Sequence, residues 1–271
     1  MAIPAMILGT FQFYKEEDLY PVVNAAYEYG ITAFDTSPSY QTEEILGLSL
    51  NRLIATKHLC RENIFIQDKI DGWQMEESKG YISSYVDLSL QKLRIEYLDV
   101  LLIHWPFPDY LEETWNTFSK LKECGKVKYI GLSNVRERHV EFLMDKTGIL
   151  PDVVQIERHP LRVCLKDVDY FHSKNIMIQA YSPVCRMDKR LYESRVLREI
   201  AEKYNKTIGQ VILRWHIDTG VTPVFMTTKT SRVKENTQIF DFALTVKDIT
   251  AINNLDINYK IFVESVCCPG I

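Results

Sequence analysis

The sequence predicts an α/β chain folded as one (β/α)8 TIM barrel in a single domain, and three observations lead there. Short apolar runs alternate with helical patterns from end to end, eight such runs can be counted, and no Pro/Gly-rich spacer or low-complexity tract divides the 271 residues. A barrel of this kind typically needs ~250 residues. An open doubly wound sheet is the competing arrangement; eight strands joined by helical crossovers favour closure.

Met6-Ile7-Leu8 opens the series. Leu19, Val22, Val23, Ala26 and Tyr27 then fall at helical spacing, and Gly30 closes that helix. Ile31–Phe34 reads as the second strand, and Ile45, Leu46, Leu50, Leu53 and Ile54 as a second helical face. Ile64-Phe65-Ile66 is a strand, followed by a helix through Val86, Leu90 and Leu93. Val100–Ile103 is an uninterrupted apolar run, as a strand covered on both faces requires. Leu111, Trp115, Phe118 and Leu121 form a helix stopped by Gly125, and both Trp115 and Trp215 fit helix faces that point into the core. Tyr129–Leu132, Val153–Val154 and Met177–Ala180 are further strands, with helices near Val140–Met144 and Val168–Phe171 between them. Two helices, Val196–Tyr204 and Thr207–Ile217, precede the last run, Val224–Met226.

Composition narrows the function. Net charge is −4, from 32 Lys and Arg against 36 Asp and Glu, which lacks the basic surplus of a nucleic-acid binder. Apolar residues make up 46% and charged residues 25%, enough to bury a large core. No apolar run approaches the ~18–20 residues of a membrane span, and Met1–Thr10 carries no basic leader pattern. The six cysteines are scattered without a CxxC pair, so neither a metal site nor a disulfide framework is expected. These features describe a cytoplasmic protein with no nucleic-acid, membrane or metal partner.

In an α/β barrel the chemistry lies at the C-terminal ends of the strands. There the sequence places Thr10, Asp35, Lys69, His104, Ser133-Asn134, Gln155, Tyr181 and Thr227, all polar. Their spacing, from 22 residues (Ser133 to Gln155) to 46 (Tyr181 to Thr227), leaves room for a crossover each time. Each residue alone has an ordinary reading: Asp35 as a turn residue, Tyr40 as loop packing, His104 as a hydrogen-bonded core histidine. Together they suit protonation of a developing alkoxide. A buried lysine needs an anion, and Asp35 is the natural partner of Lys69. A phenol is protonated at neutral pH but is a sluggish acid, and a nearby ammonium is expected to lower its pKa. His104 would position a carbonyl oxygen. None of these groups carries a hydride, so reduction demands a cofactor.

At this point the chain resembles the aldo-keto reductase superfamily, over about residues 5–258. The matching segments are Leu8-Gly9-Thr10-Phe11, Asp35-Thr36 with Tyr40 and Glu43, Lys69, Tyr97-Leu98-Asp99-Val100, Ile103-His104-Trp105-Pro106, Gly125-Lys126-Val127, Ile130-Gly131-Leu132-Ser133-Asn134, Gln155-Ile156-Glu157, Ala180-Tyr181-Ser182-Pro183, and Arg232 with Glu235-Asn236. The resemblance implies a barrel that binds an extended nicotinamide cofactor without a Rossmann domain, and no G-x-G-x-x-G follows a strand here. It implies Tyr40 as proton donor, with Lys69, Asp35 and His104 completing a tetrad. Ser133, Asn134 and Gln155 would bond the carboxamide, and Tyr181 would stack on the nicotinamide ring. Gly9 and Thr10 would flank the cofactor, Ser182 and Pro183 would face its pyrophosphate, and Thr227, Arg232, Glu235 and Asn236 would bind its adenosine end.

The departures are specific. Met226 stands where the family usually has the lysine that pairs with the 2′-phosphate. Arg232 and Lys229 remain as cations for that group, so NADP(H) is expected over NAD(H). Cys185-Arg186 replaces the usual small residues after Pro183, which makes Arg186 a candidate phosphate contact. Phe11, Tyr40, Trp73, His104 and Trp105 are expected to wall a pocket for aldehydes or ketones. The tail from about 257 to 271 is brief and ends with an adjacent Cys267-Cys268 pair, incidental or redox-sensitive. Nothing in the sequence demands a dimer, and a monomer is expected. Two other functions compete: a nicotinamide-binding regulatory or sensor subunit with little turnover, and a Schiff-base lyase with Lys69 as nucleophile.

Overall fold

The computed structural model describes residues 4–78 and 81–264. Cys267 and Cys268 therefore lie outside the described residues. Eight parallel strands close into a barrel in sequence order. They are β1 (Ile7–Gly9), β2 (Ala33–Asp35), β3 (Phe65–Ile70), β4 (Leu98–Ile103), β5 (Val127–Ser133), β6 (Val153–Glu157), β7 (Met177–Tyr181) and β8 (Val221–Phe225). The open-sheet alternative is excluded, because β8 pairs with β1 through Ile7↔Val224 and Leu8↔Phe225.

Twelve helices are present among the described residues. The crossovers are α1 (Glu16–Glu28), α2 (Glu43–Lys57), α3 (Gly72–Ser78), α4 (Ile82–Leu93), α5 (Pro108–Glu123), α6 (Glu137–Thr147) and α7 (Leu165–Ser173). The β7–β8 connection holds α8 (Lys189–Tyr192), α9 (Arg195–Tyr204) and α10 (Ile208–Asp218), and α11 (Thr230–Thr237) and α12 (Val246–Asn253) follow the last strand. The long outer helices turn apolar stripes inward. α1 buries Leu19, Val22, Val23 and Ala26, and α10 buries Trp215 beneath a Thr207–Gln210 capping box. Trp115 and Trp215 are fully buried, as their helical phase predicts.

Inside the barrel, strand alternation stacks side chains in layers. Val100, Leu102, Val153 and Met177 plug one end beside Phe65, which also packs on Ile7, Ala33 and Val224. Two residues further along the strands stand Gln67, Gln155 and Gln179. Gln67 and Gln179 bond each other reciprocally at 2.8 and 3.0 Å, and Gln155 Nε2 donates to Gln179 Oε1 at 2.9 Å. The same period of two carries Lys69, Asp35 and Tyr181 to the C-terminal mouth. Register is tight at Gly131, where a Cβ would come within 2.3 Å of the Val153 carbonyl oxygen; the gap between β5 and β6 accepts only glycine.

β3 and β8 differ from the apolar runs that announced them. β3 continues through Gln67-Asp68-Lys69, because the barrel interior there is polar. β8 begins at Val221 and runs through Thr222-Pro223, ending one residue before Met226.

Candidate active site

The mouth of the barrel opens on a cavity of about 620 Å³ whose walls include Tyr40, His104, Asn134, Gln155 and Tyr181. Beneath it lies the ion pair that anchors the site. Lys69 is fully buried, and its Nζ donates to Asp35 Oδ2 at 2.6 Å and to the Thr36 carbonyl oxygen at 2.9 Å. Gln67 Nε2 and Gln155 Nε2 donate to the same Asp35 oxygen at 2.6 and 3.2 Å. Burial works against the ammonium, but the Asp35 charge and the Asp35 hydrogen bond outweigh it and raise the Lys69 pKa. A lysine so held stays protonated, which removes the Schiff-base reading.

Tyr40 ends a 3-10 turn, Pro38–Tyr40, between β2 and α2. Its ring centre lies 4.8 Å from Lys69 Nζ and 5.7 Å from the His104 ring, edge to face, while Phe11 packs on it at 5.2 Å. The expected lowering of the phenol pKa is not what the site produces. Burial pushes the Tyr40 phenol up to about 12, and the Lys69 ammonium offsets only part of that. The phenol is therefore a firmly protonated group that releases its proton only to a strong base.

No sequence signal points to the residue behind His104. Asp71, just after β3, accepts from His104 Nδ1 at 2.5 Å through Oδ1. Its Oδ2 accepts from Ser37 Oγ at 3.1 Å and the Ser39 amide at 2.9 Å. Burial opposes ionisation of Asp71, yet the His104 hydrogen bond and charge, with Ser39 and Ser37, hold its carboxyl below the ordinary range.

Several expected cofactor residues meet around the cavity. Gly9, Asn134, Gln155, Tyr181, Ser182, Pro183 and Asn236 all line it. Asn134 is oriented by two bonds: its Nδ2 donates to the His104 carbonyl oxygen at 2.9 Å, and its Oδ1 accepts from the Tyr181 hydroxyl at 2.6 Å. Ser133 is buried, and its Oγ accepts from Asn134 Nδ2 at 3.3 Å. Thr10 does not line the cavity; its hydroxyl is committed to the Asp35 carbonyl oxygen and Thr42, so it braces the β1–β2 edge. Thr227, Arg232 and Glu235 do not line the cavity: Thr227 Oγ1 accepts from the Lys229 amide, and exposed Arg232 is paired with Glu235 at 2.7 Å.

The substrate wall needs one correction. Phe11, Tyr40, His104 and Trp105 line the cavity, but Trp73 does not. Trp73 begins α3, which turns it away to pack edge-on against Tyr85 at 5.5 Å, and it remains 47% exposed. Its place at the mouth is taken by Phe262. The backbone amides of Ile261 and Phe262 donate to the two carboxylate oxygens of Glu157 at 2.7 and 2.9 Å, strapping the C-terminal segment across the barrel end. Phe262 then meets Tyr181 edge-on at 5.7 Å, with the Arg186 guanidinium 4.8 Å from its ring centre.

A closed parallel barrel with an Asp–Lys–Tyr–His constellation at its C-terminal mouth, beside an aromatic ring and a set of amides, defines a nicotinamide-dependent carbonyl reductase. The sequence profile of the Aldo/keto reductase family matches residues 5–257. The glyoxal reductase of Bacillus subtilis is 36% identical over 257 residues, covering 94% of this chain and 89% of the relative. The methylglyoxal reductase DkgA of Yersinia pestis is 33% identical over 257 residues, again 94% and 89%. Among solved structures, a Bombyx mori aldo-keto reductase in complex with NADP superposes with a TM-score of 0.89 at 29% identity, covering 97% of this chain and 92% of that one. A Brucella melitensis aldo/keto reductase reaches 0.84 at 37% identity, covering 94% and 95%. The chain belongs to the aldo/keto reductase family. It is an oxidoreductase that reduces aldehydes or ketones with NAD(P)H, and these reductase relatives lend no support to the regulatory alternative. Among the described residues no helix is long and apolar enough to cross a membrane, and no group of three or more His, Cys, Asp or Glu side chains could hold a metal ion.

Proposed function

We propose that the chain reduces small aldehydes and ketones with apolar or planar bodies, using NADPH in preference to NADH, with Tyr40 as proton donor. Small dicarbonyls such as those named for the relatives fit a pocket walled by Phe11, Trp105 and Phe262. The observation that carries this reading is that Tyr40 and His104 line one cavity with the buried Lys69 ammonium 4.8 Å from the Tyr40 ring.

The donor set fits the cofactor. Tyr181 offers a ring face to a nicotinamide, and the amides of Asn134 and Gln155, with Ser133, match a carboxamide. Ser182, Pro183 and Arg186 would run along the pyrophosphate, and Thr227, Arg232, Glu235 and Asn236 around the adenosine. Arg232 and Lys229 are the cations available to a 2′-phosphate, which supports the NADP(H) preference despite Met226. Reduced nicotinamide supplies the hydride that reaches the carbonyl carbon.

The chain's own residues do the rest. The substrate oxygen sits between the Tyr40 hydroxyl and His104, where hydrogen bonds strengthen as negative charge grows on it. An alkoxide is a stronger base than phenolate, so the Tyr40 proton passes to oxygen as the C–H bond forms, giving the alcohol. Lys69, held protonated by Asp35, stabilises the phenolate left behind. A monomer is proposed, because every residue assigned to the site belongs to one chain. A cytoplasmic location is proposed with it; the described cysteines Cys60, Cys124, Cys164 and Cys185 are free.

The test is fluorescence titration of NADPH and NADH, followed by cofactor oxidation with methylglyoxal and an aromatic aldehyde. Tyr40→Phe should retain NADPH binding and lose ~10²–10⁴-fold in turnover, the usual contribution of a positioned acid. Undiminished turnover in that variant would overturn the proton-donor assignment.

A further inference from the structure

We infer that Asp71 is a positioning residue for the reaction: its carboxylate fixes His104 with Nδ1–H turned inwards and keeps the ring as an imidazolium whose Nε2–H serves the substrate oxygen. The inference rests on the carbonyl-reduction reading above, and it follows from counting protons on the ring.

An ionised carboxylate accepts hydrogen bonds and donates none. Asp71 Oδ1 lies 2.5 Å from His104 Nδ1, and Oδ2 already accepts from Ser37 and Ser39. The proton in the Asp71–His104 contact therefore sits on Nδ1. A neutral imidazole with its proton there has only a lone pair at Nε2, and a lone pair repels a carbonyl oxygen gaining negative charge. His104 can assist reduction as a donor only when both nitrogens carry protons. Asp71 supplies the counter-charge for that state in a site where its own side chain is only 7% exposed and that of His104 13%.

The same carboxylate ties the ring to the proton donor. Ser37 and Ser39 belong to the turn that ends in Tyr40, so one side chain holds the β2 loop, the end of β3 and His104 in a single hydrogen-bonded unit. Asp71 is itself fixed through its backbone amide, which donates to Gln74 Oε1 at 2.8 Å. The surrounding charges are compatible with a cationic ring. Tyr40 faces it from the β2 side as a neutral phenol, and Lys69 behind that phenol is neutralised by Asp35. The β5 side contributes the Asn134 amide, bonded to the His104 carbonyl oxygen. From the C-terminal strap, Lys260 lies 5.8 Å from the Trp105 ring and is paired with Glu264. Tyr40 alone is a reluctant acid, so a second, cationic donor on the substrate oxygen has a defined task.

Three variants and one spectroscopic measurement test this. In the wild type, kcat/KM for the carbonyl should fall as pH rises through deprotonation of His104. Asp71→Asn should move that fall to lower pH by about one unit or more and reduce kcat/KM at pH 8 about tenfold, with NADPH affinity unchanged. Asp71→Glu, which keeps the charge, should recover part of the loss, and His104→Gln should abolish the pH step. Superimposable profiles for wild type and Asp71→Asn, or equal losses in the Asn and Glu variants, would overturn the inference. Nitrogen-15 NMR of the wild-type histidines, with His104 identified by its variant, needs neither turnover nor a folded Asp71 variant. Signals from both ring nitrogens protonated at pH 7 are expected; a neutral ring, protonated at either nitrogen alone, would overturn the inference. Absence of carbonyl turnover in the wild type would instead sink the functional reading, and the NMR result would still decide the state of His104.

Discussion

The two ends of the proposed cofactor groove are built in opposite ways. At the catalytic end the charged atoms are buried and already bonded: the side chains of Lys69 and Asp35 are 0% and 5% exposed, and Asp35 Oδ2 alone accepts three hydrogen bonds. At the end proposed for the adenosine the side chains of Arg232 and Glu235 are 54% and 27% exposed and paired with each other on one short helix. The first arrangement fixes geometry before any ligand arrives, which is what chemistry requires. The second holds its charge in a weak surface pair that a phosphate can displace. Catalytic groups should therefore respond to substitution with large, cooperative losses, and cofactor-selecting groups with small, separable ones.

Lys69→Met gives the largest expected effect. It removes the cation from a buried pair and leaves the Asp35 carboxylate with only the amides of Gln67 and Gln155. Breaking one side of such a pair costs about 3–5 kcal/mol, and turnover should fall with it because the phenolate loses its counter-charge. Urea unfolding at pH 7 reads the first quantity and single-turnover cofactor oxidation the second. A variant as stable as the wild type would show that the barrel interior tolerates a lone carboxylate, and the contrast between the two ends would fail.

Between the two ends lies the strap, where Glu157 accepts the Ile261 and Phe262 amides. Burial raises the Glu157 pKa, but the His159 hydrogen bond and these two amides outweigh it and leave the carboxyl below its ordinary value. A depressed folded-state pKa means stability that is present above the unfolded value, ~4.3, and lost as pH falls through the lowered one. Glu157→Gln should therefore loosen the strap at neutral pH by about 1–2 kcal/mol and flatten its acid sensitivity. Hydrogen exchange at Ile261 and Phe262 between pH 7 and pH 4 measures both; unchanged protection would place the strap's stability elsewhere, in the Phe262–Tyr181 and Arg186 contacts.

The same contrast explains what the sequence revealed. The meeting of Asp35, Lys69 and His104 was legible because each stands at or shortly past an apolar run, and a barrel brings strand ends to one mouth. The length of β3 was not legible, because Gln67-Asp68-Lys69 breaks the apolar pattern while the interior layer of Gln67, Gln155 and Gln179 welcomes polar side chains. Asp71 escaped notice for a related reason: its role comes from lying across the sheet from His104 and Ser37, an adjacency that no local spacing encodes. Trp73 misled because an aromatic shortly after a strand reads as pocket wall, whereas α3 rotates it onto Tyr85. Phe262 was visible only as a tail residue, since its position depends on the long-range bond of its amide to Glu157.

Met226→Lys gives the smallest effect and bears most directly on the exposed end. Met226 follows β8, lines the cavity and is 37% exposed, so a lysine there would keep its ammonium in water within reach of a phosphate on the adenosine. The new cation would not have to displace the Arg232–Glu235 pair, and its gain is that of one solvent-exposed charge contact, about 1 kcal/mol or roughly fivefold in affinity. NADPH should bind about fivefold tighter while NADH, lacking the 2′-phosphate, is unaffected, and raising the salt concentration should erode the gain because the pair is screened. Paired fluorescence titrations at low and high salt decide the matter. Equal tightening for both nucleotides would mean that residue 226 meets a group common to the two cofactors, and the 2′-phosphate would then have to be sought nearer Lys229.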